Sequence, residues 1–194
     1  MAYPIVRRIL FPVVGLWIKE INGIDNIPKQ GPFIIAANHT SYLDHYIMGC
    51  LIIPRLNKKL HFLAKKEHFD NFLKKAWHTY GGAIPVDRKK GGIIEIFPEG
   101  TRSYDGKLQK AYTGIARLAL TAKVPVLPAG IIGSEKVMPK GALFPRFARC
   151  DVKIGKPITF EKYYGKKPNN RIFEEVTRSI MKEIAKLTNQ QYNY

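Results

Sequence analysis

Short apolar runs bounded by glycine and proline alternate along this chain with longer amphipathic stretches, and that alternation restricts the fold more than any other feature. "GPFIIAAN", "KLHFLAK", "GAIPV", "GIIEIFPEG", "VPVLPAGII" and "CDVKIG" have the length and punctuation of strands. "SYLDHYIMGCLII", "HFDNFLKKAWHTYG" (closed by Gly81), "YTGIARLALTAK" and "NRIFEEVTRSIMKEIAKLT" have helical patterning. Strand and helix in turn predict an α/β fold: a largely parallel or mixed sheet flanked by helices. In such sheets the ligand-binding loops gather at the carboxyl ends of strands. With 194 residues, 45% of them hydrophobic, the chain suits one domain with its own core, spanning residues 1–194. Pro125 and Pro128 are expected to bound the strand in "VPVLP".

Two loops that follow strands carry clusters of chemically useful side chains. In "NHTSYLD", His39 and Asp44 are separated by four residues just after "PFIIAA". Ser41 and Asp44 also match the capping-box spacing ahead of an apolar helix, which would make the carboxylate a helix cap and His39 incidental. The same spacing lets the carboxylate fold back onto one imidazole nitrogen, leaving the other to take a proton from an alcohol. Both readings stand at this point. In "FPEGTRS", Pro98 and Gly100 suit a tight turn, but a turn does not require Glu99, Thr101 and Arg102 together. An arginine on such a loop can grip a phosphate bidentately. Arg88 in "IPVDR" and Lys65 in "FLAKKE" follow other expected strands and add cations.

Charge supports an anionic partner. The chain has 32 Lys and Arg against 15 Asp and Glu, a formal net charge of +17. That excess suits an acidic membrane surface, an acidic carrier protein or a phosphorylated substrate. No RNA-binding or zinc signature accompanies it, so no specific nucleic-acid partner is expected. Cys50 and Cys150 are far apart and lack a partner motif, as expected of reduced thiols in a cytosolic compartment. The apolar run from Ile9 to Ile18 is too short to span a bilayer as a helix, and no cleavage site follows it. Residues 1–19 are expected to form a membrane-interface helix, with Phe11 and Trp17 on one exposed apolar face beside Arg7, Arg8 and Lys19. A helix packed on the domain and kinked at Pro12 is the plainer alternative.

Taken in order, "NHTSYLD", "FLAKKE", "GAIPVDR", "IFPEGTRS" and "VPVLPAGI" resemble the blocks of the glycerophospholipid acyltransferase family, over roughly Asn22 to Gly155. The resemblance implies that His39 is a general base on an acceptor hydroxyl and Asp44 its orienting partner. It implies that Arg88, Glu99, Gly100 and Arg102 bind a glycerol phosphate, with Lys65 a further contact. It implies direct attack on an acyl thioester of CoA or acyl carrier protein, with no metal and no other cofactor. The expected product is phosphatidic acid, made from lysophosphatidic acid at the cytoplasmic face of the cell membrane. Alternatives are the same chemistry on glycerol 3-phosphate or a lyso-aminolipid, or a non-catalytic basic domain binding lipid or nucleic acid.

One stretch departs from the pattern. Only Lys89, Lys90, Gly91 and Gly92 separate Arg88 from "IIEIF". Four residues reach at most about 14 Å, too little for a parallel crossover. The expectation is that a crossover segment is absent from the sequence near Lys90 and Gly91; an antiparallel hairpin is the alternative.

Overall fold

The computed structural model describes residues 4–62, 92–167 and 169–194. Its strands are β1 (Ile18–Asn22), β2 (Phe33–Ala37), β3 (Leu60–Phe62), β4 (Ile93–Ile96), β5 (Val126–Ile132) and β6 (Cys150–Ile154). They form one sheet in the order β1-β6-β5-β2-β4-β3. All pairs are parallel except β5 with β6, so the sheet is mixed. The helices are α1 (Phe11–Gly15), entered through a π-helical turn at Val6–Leu10, α2 (Asp44–Leu56), α3 (Gly114–Ala122), α4 (Ser134–Val137) and α5 (Asn170–Thr188).

Strand β2 shows why its sequence is a continuous apolar run. Phe33, Ile35 and Ala37 face a core shared with α1 and α2, whereas Ile34 and Ala36 face a second core shared with α3 and α5. A strand covered on both faces has no position for a polar residue. Helix α5 reads differently because only one stripe is covered. Phe173, Val176, Ile180, Met181 and Ile184 are buried at helical spacing, and the Asn169 side chain caps the start by accepting from the Ile172 N–H at 2.9 Å. The helix lies so close to β5 that a Cβ on Gly130 would come within 2.9 Å of Leu187 Cβ and Thr188 Cγ2.

Three expectations need correction. Pro128 does not bound a strand; it lies inside β5, opposite Ala36 of β2. Its nitrogen faces the β6 side, but the β5–β6 ladder begins at Ala129 and Ile154, so no ladder donor is lost there. The N-terminal helix ends near Gly15, and Ile18–Asn22 is a strand. Phe11 is buried, packed in the α2 core rather than exposed beside Trp17. The helix expected at "HFDNFLKKAWHTYG", the strand at "GAIPV", the junction at Lys89–Gly91, and both Lys65 and Arg88 lie outside the described residues. Among the described residues no helix is long and apolar enough to cross a membrane.

Candidate active site

Strands β2, β4 and β5 are adjacent and parallel, so the loops that leave them open at one edge of the sheet. These loops are 38–43, 97–113 and 133 onward into α4. Asn38 starts the first. Its side-chain amide donates to Ile131 O at 2.8 Å and accepts from Ile131 N at 2.7 Å. The amide thus stands in for one more peptide of β2 and continues the β2–β5 ladder a step past the strand. The next residue, His39, is thereby placed at the edge itself.

His39 Nδ1 lies 2.9 Å from Asp44 Oδ2. The same oxygen accepts from the backbone N–H groups of Thr40 (2.7 Å) and Ser41 (2.8 Å). The capping-box reading is not met, since α2 begins at Asp44 with Leu43 at its N-cap and no side-chain cap bond; one carboxylate oxygen instead holds two loop amides and orients the imidazole. The other oxygen, Oδ1, accepts from the Ser134 hydroxyl, which also bonds Thr40 Oγ1 at 2.7 Å. Asp44 is fully buried. Because Asp44 Oδ2 accepts at Nδ1, the proton of a neutral imidazole sits on Nδ1. His39 Nε2 has no hydrogen-bond partner among the described residues, and the side chain is 21% exposed. The ring stacks on Phe97 at 4.0 Å between centroids, which holds its plane.

The FPEG turn is joined to the first loop at several points. Gly100 N donates to Phe97 O at 3.0 Å, with Gly100 at φ +66°, a left-handed value that glycine adopts without strain. Glu99 turns inward, and its two oxygens accept from His39 N at 2.9 Å and Gln109 N at 2.7 Å. Burial pushes the Glu99 carboxyl up to about 7, against the opposing effect of those two backbone donors. Ser103 N donates to His39 O at 2.8 Å. Arg102 places its guanidinium carbon 3.3 Å from the centre of the Tyr42 ring, and its Nη1 is buried without a hydrogen-bond partner among the described residues. Lys140 Nζ lies 3.5 Å from Arg102 O. His39, Asp44, Glu99, Gly100 and Arg102 are thus gathered on the contiguous loops of one sheet edge.

Sequence reasoning missed several participants. Ser134 follows Gly133 at φ +87° on a four-residue helix, too short to have a period, so nothing in the local pattern singled it out. Phe97 sits in a turn motif whose sequence carries no sign of its stacking on His39. His45 forms a second imidazole–carboxylate pair with the buried Glu95, through Nδ1 and Oε2. Burial raises the Glu95 carboxyl above its usual range, against the lowering effect of His45.

The family model described as Acyltransferase matches residues 19–132, which takes in both loops. The chain belongs to the acyltransferase family. The 1-acyl-sn-glycerol-3-phosphate acyltransferase of Streptococcus pneumoniae is 31% identical to this acyltransferase, over all of this chain and 76% of its own length. The protein of the same name from Bacillus subtilis is 28% identical over 86% of each chain. The crystal structure of the 1-acyl-sn-glycerophosphate acyltransferase PlsC from Thermotoga maritima shares the fold. Its TM-score is 0.68 at 23% identity, covering 93% of this chain and 81% of that one.

Proposed function

We propose that this acyltransferase moves a fatty acyl group from a thioester to the sn-2 hydroxyl of lysophosphatidic acid, giving phosphatidic acid. The observation that carries the reading is the division of labour on one ring: Nδ1 bound to buried Asp44, Nε2 open at the sheet edge. In this reading His39 Nε2 takes the hydroxyl proton as the oxygen attacks the thioester carbonyl. Asp44 stabilises the imidazolium that forms. Collapse of the tetrahedral intermediate breaks the carbon–sulfur bond, and the departing sulfur leaves as a thiol with the proton from Nε2. The nucleophile is the acceptor itself, so no acyl-enzyme forms.

Arg102, stacked on Tyr42 with one donor nitrogen unpartnered among the described residues, is the group we assign to the acceptor phosphate. Glu99 is better suited to holding the two loops in register, since both its oxygens are occupied by backbone donors. The names of the relatives support lysophosphatidate as acceptor. The donor is acyl-CoA or acyl carrier protein, and we place the enzyme peripherally on the cytoplasmic face of the membrane.

The test is thiol release from acyl-CoA by purified protein, with and without lysophosphatidate. Release that depends on lysophosphatidate, and exceeds that with glycerol 3-phosphate or a lyso-aminolipid, is the expected result. Release without any acceptor, or none with any donor, overturns the reading. Repeating the assay with acyl carrier protein ranks the donors.

A further inference from the structure

The chain leaving α4 runs past the active site and then out into solvent. Met138 O accepts from the Ser41 hydroxyl at 2.9 Å, and Lys140 Nζ reaches Arg102 O and lies 3.7 Å over the Tyr104 ring. Beyond it Leu143, Phe144 and Phe147 are 84%, 79% and 113% exposed. Bulky apolar side chains so far out of the fold are costly in water unless something covers them. The loop then returns to the body at Arg146 O, which accepts from Trp17 Nε1 at 3.1 Å, and at Cys150 N, which donates to Trp17 O at 2.8 Å.

That contact brings a second apolar surface alongside. On the N-terminal helical segment Phe11 and Val14 point inward, which leaves Ile5, Ile9, Val13 and Leu16 as an exposed stripe at helical spacing. Leu16 and Phe147 each neighbour one member of the Trp17–Arg146 hydrogen bond, so the stripe and the loop tip adjoin. The cations are arranged to match: residues 136–150 contain Lys136, Lys140, Arg146 and Arg149 and no Asp or Glu.

We propose that the 139–149 loop is a membrane-inserting tip. It seats Leu143, Phe144 and Phe147 among the acyl chains of an anionic bilayer, with its arginines on lipid phosphates and the N-terminal stripe lying beside it. The tip is a convex projection of aromatic and aliphatic side chains interleaved with arginine, which suits a deformable headgroup layer better than a preformed protein groove. Because Lys140 of this loop reaches Arg102 and Met138 just before it holds Ser41, insertion sets the active-site rim at the lipid surface. That last consequence rests on the acyl-transfer reading; the lipid contact does not.

The test uses the full chain and phosphatidylcholine vesicles with or without phosphatidylglycerol. The triple variant Leu143→Ser, Phe144→Ser, Phe147→Ser is expected to lose roughly tenfold or more of its partition onto the anionic vesicles. It should keep wild-type transfer to a short-chain, water-soluble acceptor. In a separate Phe144→Trp variant, the added emission is expected to be quenched by bromine-labelled lipid chains, and this result decides alone should the triple variant fail to fold. Wild-type partition of a folded triple variant, or emission indifferent to brominated lipid, overturns the proposal. So does unchanged partition with transfer lost only from acyl carrier protein, which would reassign the tip to a protein partner. Partition needs no turnover, so its outcome stands apart from that of the acyltransferase assay.

Discussion

Asp44 accepts hydrogen bonds from the Thr40 and Ser41 amides and the Ser134 hydroxyl, besides meeting His39. Its substitutions should therefore separate two effects. Asp44→Asn retains an acceptor oxygen for the loop but removes the negative charge that favours an imidazolium. It should lower kcat strongly, with a small change in melting temperature. Asp44→Ala leaves buried donors unpartnered, each costing about 1–3 kcal/mol, so activity and stability should fall together. An Asn variant that melts early yet turns over normally would leave Asp44 as an anchor of the 38–43 loop and nothing more. His39→Ala should lower turnover by about 10²–10⁴-fold while the protein still unfolds cooperatively, because the ring is partly exposed and packs mainly on Phe97. Stopped-assay rates on the folded variant check this.

At the scale of elements, the loop after β4 and the loop between β2 and α2 build one surface, since Arg102 leans on Tyr42 across them. Arg102→Ala should raise KM for the phosphorylated acceptor more than for the acyl donor. Lysine should restore only part, having no planar fork to lay on the ring or on a phosphate. Equal losses for a phosphate-free acceptor analogue would assign Arg102 to structure. Elements also show where the sequence was readable. β2, β4, β5 and α5 announced themselves because burial on two faces, or on one stripe, leaves a long regular pattern. β1 did not: four of its five residues are exposed on an edge strand, so "IKEIN" has no apolar period. α4 is a single turn, and Ser134 comes to Asp44 through the sheet order, a long-range fact that no local window holds. Asn38 lies between these cases. The polar residue ending an apolar run was visible, but its use as a surrogate peptide was not.

Over the whole molecule, buried carboxyls make stability depend on pH in a defined direction. Glu99 rises from 4.5 to about 7 in the folded state. Between those values the folded form binds more protons than the unfolded chain, so stability falls as pH rises from about 4.5 to about 7. Glu99→Gln should remove that component. The difference in urea midpoint between wild type and variant should change across this interval and flatten above it. A difference constant from acid to neutral pH would mean that Glu99 titrates normally. Chain connectivity belongs to this scale too. β4 runs parallel to both β2 and β3, as delivery of Glu99 to the His39 edge requires. The Streptococcus alignment extends over 220 positions against 194 residues here, so that relative carries residues with no counterpart in this chain. The crossover segment expected near Lys90 and Gly91 falls outside the described residues; an intact mass above that of the sequence would be its sign.

The pairing of loop amides with buried carboxylates also leaves a kinetic fingerprint. His39, Thr40 and Ser41 belong to no helix or strand, yet their N–H groups end on Glu99 and Asp44, which are almost wholly out of water. In deuterium exchange, irregular backbone ordinarily trades its protons early. Here the 38–43 loop should instead retain them nearly as long as β2, and surrender them only when the sheet edge itself opens.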